Sequence, residues 1–289
     1  MALRLLYITN IPEVARIAEK NGVERIMVDM EYIGKSDRQG GMDTVQLHHS
    51  FDDIRNIKNS LTSSELIVRI NPIHAQTGDY PSSKEEIDRT VDNGADIIML
   101  PYFKTVDEVR FFIDAVGGRA KTLLLFETKE SAELCDEIIG LDGIDEVHIG
   151  LNDMSLSYGM NFMFELLPCG TADRLCGKFR QKGIPYGFGG IAALGLGMVP
   201  AEMIIKEHYR LGSTGAILSR SFCNTDNFDS YDAIAKVFED GLRDIRALEA
   251  ECQKMLDSGN IDYFENNRRE TYAAINKVAE ILRKKKQQS

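Results

Sequence analysis

Two carboxylates carry the first chemical signal in this chain. From Leu123 to Tyr158 the sequence reads LLLFETKESAELCDEIIGLDGIDEVHIGLNDMSLSY: two short apolar runs, LLLF and VHIG, on either side of a helical segment. Glu127 follows the first run and Asp153 stands just after the second. In a strand–helix–strand unit this puts an acid at the C-terminal end of each strand. Neighbouring parallel strands lie about 4.8 Å apart, so both acids can reach one point. Two hard oxygen ligands at the end of a parallel sheet suit Mg2+ or Mn2+ and leave positions open for a substrate. The blander alternative for each acid is a helix N-cap or an ion-pair partner.

Other residues join them at the ends of apolar runs. Arg69 sits in an apolar strand, VRIN, where a charge is costly unless it is paired or lies at the strand end. It reads either as the ion-pair partner of Asp29 or Glu31, or as a bidentate clamp on a substrate carboxylate or enolate oxygen. Gly150, Leu151 and Asn152 offer successive backbone N–H groups at a strand-to-helix turn, suited to an anionic oxygen. His48, His49 and His74 fall in loops on the same side and are candidates for acid–base work. His148 lies within a strand and His208 within a helix, where structural roles are the expectation. Arg220, after the last strand, reads as a partner for a second carboxylate or phosphate, or as a plain ion pair. The glycines of YGFGGI and LGLG lack the strand–GxGxxG–helix order of a dinucleotide site; they read as tight loops.

The elements that must position these residues alternate regularly. Strands are expected at 3–9, 25–30, 65–70, 96–100, at LLLF and VHIG, and at 184–190 and 214–219. Helices are expected at 11–20, 51–61, 83–93, 105–116, 131–141, 171–182 and 200–211. Ser50 is placed to cap one of them, and Ser83-x-x-Glu86 has the form of a capping box. A polar, Gly-rich loop spans 34–49. Eight strands with helices between them, over about 230 residues, predict an α/β fold of the (β/α)8 TIM-barrel type, with a doubly wound open sheet as the runner-up. Residues 1–230 form the barrel in this reading. Residues 231–289 form a C-terminal helical extension, with helices at 231–252 and 263–286, packing on the barrel or on a neighbouring subunit.

Composition narrows the function classes. The chain has 289 residues and a formal charge of −11, which argues against nucleic acid and anionic membranes as partners. The basic run Arg283–Lys286 reads as a solvated tail. Five scattered cysteines without a CxxC pair predict neither zinc nor a disulfide framework. With no signal-peptide pattern and no apolar run of membrane-spanning length, the expected location is the cytoplasm.

Four segments in order, VDMEY, VRIN, GADIIMLP, and FET followed by GIDEVHIGLNDMSLS, resemble the HpcH/HpaI aldolase and citrate lyase β-subunit family, over roughly residues 20–225. The resemblance implies a phosphoenolpyruvate/pyruvate-binding barrel. It implies that Glu127 and Asp153 bind a divalent metal. It further implies that Arg69 binds pyruvate or its enolate, with help from amides near Gly150–Asn152. The implied activity is a metal-dependent carbon–carbon lyase, or aldolase, joining a 2-oxo acid to an aldehyde. The alternatives are an acyl-CoA lyase or citrate-synthase-like Claisen enzyme of the same family, or a barrel that binds without turnover. Assembly as a homo-oligomer, a trimer or hexamer, is implied too. Two positions depart from the family pattern. Hydroxy-acid aldolases of the family carry a His directly after the DxE of the second strand, where this chain has Tyr32. They also carry a Gln two residues before the metal Glu, where it has Leu125. The acid–base role therefore falls to Asp29, Glu31, Tyr32, His48 or His49.

Overall fold

The structure, a computed structural model, describes residues 2–34, 49–78 and 80–288. Strands β1 (Arg4–Ile8), β2 (Arg25–Asp29), β3 (Glu65–Arg69), β4 (Ile97–Leu100), β5 (Lys121–Phe126), β6 (Glu146–Ile149), β7 (Tyr186–Ile191) and β8 (Gly215–Leu218) close a parallel barrel in chain order. This is the barrel expected from the alternation. Strands of such a sheet are covered on both faces and become nearly continuous apolar runs, as in RIMVD of β2 and IIML of β4. The expected loop 34–49 lies almost entirely outside the described residues.

The chain divides into two compact units, Leu6–His148 and Met1–Leu5 with Ile149–Ser289. In the first, β2 pairs with β3 in a register that sets Asp29 opposite Arg69. Helix α1 (Pro12–Lys20) opens on a proline, which has no N–H to satisfy there, and ends before Gly22, whose φ of +93° glycine adopts without strain. Helix α2 (Phe51–Ser60) carries a full capping box between Ser50 and Asp53. At the N-terminal strand ends, Arg25 of β2 donates to both oxygens of Glu146 of β6 at 2.6 and 2.5 Å, and its Nε donates to Glu65 at 3.0 Å. This buried fork ties three strands together.

Two expectations in this unit are corrected. Helix α3 (Ser83–Asp92) has Ser82 at its N-cap, and the Ser82 side chain makes no capping bond. Glu86 turns inward to Asn71 and Tyr80 instead of closing a box with Ser83. Beyond α4 (Val106–Val116), the single helix expected over 131–141 is two short ones, α5 (Lys129–Glu133) and α6 (Cys135–Ile138), parted at Leu134.

The second unit contains α7 (Leu151–Ser157), a 3-10 turn (Met163–Leu166), α8 (Thr171–Lys182), α9 (Ala201–Leu211), α10 (Tyr231–Asp257) and α11 (Ile261–Gln288). The long helix α10 is tied to the start of the chain: Leu3 N–H donates to Glu249 at 2.6 Å, and Arg246 donates to the Leu3 carbonyl at 2.9 Å. Helix α11 lies on α9 and buries Phe264, Ile275 and Ala279. Asn267 donates to the Met203 carbonyl and to Glu207, and Arg210 of α9 bonds both Asp173 of α8 and Tyr272 of α11. No helix among the described residues is long and apolar enough to cross a membrane.

Candidate active site

The first unit gathers carboxylates around one guanidinium at the C-terminal ends of β2, β3 and β5. Arg69, the last residue of β3, donates from Nε to Asp29 Oδ1 at 2.8 Å and from Nη2 to Oδ2 at 2.6 Å. Glu31, fully buried, brings Oε2 to 3.5 Å from the same Nε, and its backbone N–H donates to Asp29 Oδ1 at 3.2 Å. Burial works against the Arg69 charge, but Asp29, Glu31 and Glu127 outweigh it and hold the guanidinium well above its ordinary range. Asp29 engages the side edge of the guanidinium. Among the described residues Nη1 has no hydrogen-bond partner, which leaves the Nη1/Nη2 end of the fork for another acceptor.

Glu127 directly follows β5 and is buried. Its Oε1 accepts the N–H of Tyr102 at 2.9 Å. Tyr102 has φ +49°, the only positive φ outside glycine among the described residues, and this left-handed turn accompanies the amide's approach to the carboxylate. Capping of α5 falls to Thr128, whose hydroxyl accepts the Ser131 N–H, so Glu127 is not a helix cap.

His49 is buried beside β2, and its Nδ1 accepts the Asp29 N–H at 2.9 Å. An amide donating to Nδ1 makes the neutral ring the Nε2–H tautomer. Tyr32 and Ile33 donate their N–H groups to Asn71 Oδ1 at 3.0 and 2.9 Å. The Tyr32 ring meets that of Tyr80 edge-on at 5.0 Å, and burial together with the nearby Glu86 pushes its phenol upward. The His74 ring braces its loop, with Nδ1 at 2.7 Å from the Pro72 carbonyl and Nε2 at 3.0 Å from that of Pro81. His48 lies outside the described residues. His148 is buried in β6.

In the second unit, Gly150 precedes α7, Leu151 opens it, and Asn152 and Asp153 stand in its first turn, Asp153 buried. The turn is seated on β7: a Cβ on Gly189, whose φ is +52°, would come within 2.6 Å of the Leu151 side chain. His208 is buried in α9, stacked on Phe188 at 3.8 Å and bonded through Nδ1 to Ser213 Oγ at 2.8 Å, in keeping with its structural reading. Arg220 is exposed after β8. Among the described residues no group of three or more His, Cys, Asp or Glu side chains is arranged to hold a metal ion.

Three shaping residues escaped the sequence reading. Tyr102 stands where a left-handed turn is usually announced by glycine, so its sequence gives no signal. Asn71 closes the VRIN run, but its role as a pin depends on contacts distant in sequence. Glu86 was hidden inside an apparent capping motif.

The fold and the cluster define a class: a (β/α)8 barrel with acids and an arginine at the C-terminal strand ends, where barrels of this kind carry their active sites. Residues 5–163 match the family described as HpcH/HpaI aldolase/citrate lyase, and the chain belongs to that family. With membership comes its general aldolase/lyase function. Among solved structures, an HpcH/HpaI aldolase from Desulfitobacterium hafniense is 15% identical with a TM-score of 0.57, the match covering 75% of this chain and 86% of the other. An HpcH/HpaI aldolase/citrate lyase family protein from Burkholderia cenocepacia is 13% identical with a TM-score of 0.58, covering 82% and 95%. At these identities the likeness is one of fold. Comparison with curated protein sequences gives no match.

Proposed function

We propose that this chain is a divalent-metal-dependent carbon–carbon lyase that forms or cleaves the bond between a 2-oxo acid, carried through its enolate, and an aldehyde. The observation that carries the reading is the Arg69 cluster. Its guanidinium is fixed on one edge by Asp29 and keeps its other edge for an anionic oxygen. That edge takes the substrate carboxylate or the oxygen on which negative charge develops, where a preorientated donor acts most strongly. Glu31 and Asp29 hold the guanidinium in place. Proton transfer belongs to the group Asp29, Glu31, Tyr32, His48 and His49. His49 as the Nε2–H tautomer is equipped to donate.

Glu127 and Asp153 are the proposed metal ligands. Their chemistry fits: both are buried carboxylates, and Mg2+ commonly binds through one or two carboxylates, with water and substrate completing its shell. A site of that kind needs no cluster of three protein ligands. When bound, the ion supplies Lewis acidity toward the 2-oxo carbonyl. The amides of Gly150, Leu151 and Asn152 are assigned to the substrate's anionic end. A small-molecule substrate and a homo-oligomer, trimer or hexamer, in the cytoplasm complete the proposal.

The test is exchange of the pyruvate methyl protons in D2O, followed by NMR with and without Mg2+ or Mn2+. We expect metal-dependent exchange in the parent protein, and at least a hundredfold loss in Glu127→Gln and in Asp153→Asn with circular dichroism unchanged. Metal-independent exchange, or parental exchange rates in both variants, overturns the metal assignment. No exchange in the parent despite measured metal binding overturns the pyruvate-enolate reading.

A further inference from the structure

Glu86 lies outside the Arg69 cluster and bonds Asn71, which accepts from the segment leading out of β2. It sits in the first turn of α3, fully buried. Its Oε1 collects three donors: the Tyr80 hydroxyl at 2.7 Å, Asn71 Nδ2 at 2.9 Å and the Asn71 backbone N–H at 3.1 Å. Among the described residues its Oε2, equally buried, has no hydrogen-bond partner, and His74 Nε2 is 4.0 Å away. A carboxyl that takes every donor on one oxygen behaves as a carbonyl acceptor there. Burial, outweighing the bonds from Tyr80 and Asn71 and the influence of His74, raises its proton affinity and favours the neutral acid.

Asn71, bonded to Glu86 and through Nδ2 to the Tyr80 hydroxyl at 3.0 Å, also holds the chain leaving β2. Oδ1 takes the N–H groups of Tyr32 and Ile33, and Nδ2 donates to the Met30 carbonyl at 3.1 Å. The residues of this clamped turn include Glu31, which faces Arg69, and Tyr32, whose ring packs on Tyr80. Glu86 Oε1 is the central acceptor of this buried network, and removing it strands several donors together.

We propose that Glu86 is a positioning residue of the active site, fixing through Asn71 and Tyr80 the turn Met30–Ile33 that carries Glu31 and Tyr32. The functional meaning of this rests on reading the Arg69 cluster as the active site; the positioning itself does not.

The test compares Glu86→Gln with Glu86→Leu by site-resolved amide hydrogen exchange. The Gln carbonyl can accept the same three donors, whereas Leu fills a similar volume and accepts none. We expect Glu86→Leu to speed exchange at the Tyr32 and Ile33 amides at least tenfold, with β4 amides within twofold of parental rates, and Glu86→Gln to restore protection at both. Tyr80→Phe removes the hydroxyl that donates to Glu86 and accepts from Asn71 Nδ2, and leaves the two Asn71 donors to Glu86 in place. It should speed the same two amides by about threefold, and it serves as the deciding variant where Glu86→Leu does not fold. Parental exchange at Tyr32 and Ile33 in the deciding variant overturns the proposal, and so does acceleration spread equally over β4. Because amide exchange needs no substrate, this outcome stands apart from the pyruvate test: loss of either reading leaves the other measurable.

Discussion

At the scale of single residues, the pairing of Arg69 with Asp29 decides how the candidate site must be probed. The two charges are largely withdrawn from solvent, with side-chain exposures of 15% and 3%. Breaking such a pair by removing one partner leaves the other buried and uncompensated by it, which costs about 3–5 kcal/mol. Arg69 is the graver loss, because Glu31 and Glu127 also act on it. We therefore expect Arg69→Met to destabilise the protein by about 3 kcal/mol or more in urea unfolding, and Asp29→Asn by less. The double variant should be more stable than the sum of the single losses predicts, by about 2 kcal/mol, as for groups in direct contact. Additive losses within about 0.5 kcal/mol would show the pair to be energetically idle. An activity loss in Arg69→Met alone carries little weight, because the same substitution strips both a substrate donor and a structural fork. The Arg69–Asp29 pairing itself was legible beforehand: a charge inside VRIN and an acid ending the neighbouring strand leave few other partners.

At the scale of elements, the turn that carries Asp153 depends on a glycine in β7. Gly189 adopts φ +52° and has Leu151 against the space a side chain would need. Gly189→Ala therefore meets two separate penalties, a left-handed backbone at about 1 kcal/mol or more and a steric contact. The contact involves the mobile end of a leucine, so repacking relieves part of it. We expect Gly189→Ala to lose about 1–3 kcal/mol in chemical denaturation. Adding Leu151→Ala to it should cost less than the same change costs in the parent, because the clash has gone while the backbone penalty remains. Equal costs of Leu151→Ala in both backgrounds would remove the steric argument. The eight strands themselves were readable, since buried parallel strands write themselves as apolar runs with polar ends. So was the strand-end placement of Asp29, Glu31, Arg69 and Glu127. What escaped was decided across distances the sequence does not display. Ser83-x-x-Glu86 satisfies the local rule for a capping box, but Asn71 and Tyr80 offer Glu86 three donors inside the fold, and tertiary bonds won. Leu134 breaks a helix without the glycine or proline that usually marks a break, and Tyr102 takes a glycine-like conformation without being one.

At the scale of the whole molecule, buried and bonded carboxylates give stability a pH dependence of both signs. Glu86 is one contribution: burial raises its pKa against the opposing bonds from Tyr80 and Asn71 and the influence of His74, so its share of stability is full below pH 4.5 and falls as pH rises through the folded value. Glu19 is the opposite case. Its Oε1 accepts the N–H groups of Thr62, Ser63 and Ser64 at 2.9, 2.7 and 2.7 Å, joining α1 to the segment that leads into β3. Burial pushes this carboxyl up, but the three amides and the Thr62 hydroxyl outweigh it and hold the pKa at about 2, against an ordinary 4.5. The folded state thus binds its proton more weakly than the unfolded chain does. The stability Glu19 contributes is present above pH 4.5 and disappears as pH falls toward 2. Glu19→Gln keeps an acceptor for the amides but removes the titration. We expect the parent to exceed Glu19→Gln in urea midpoint at pH 7, with the gap closing steadily between pH 4.5 and pH 2. A gap that stays constant over that interval would mean that the amides bond to Glu19 without favouring its charge. In that event the acid limb of stability would have to come from the other carboxylates of this strongly acidic chain.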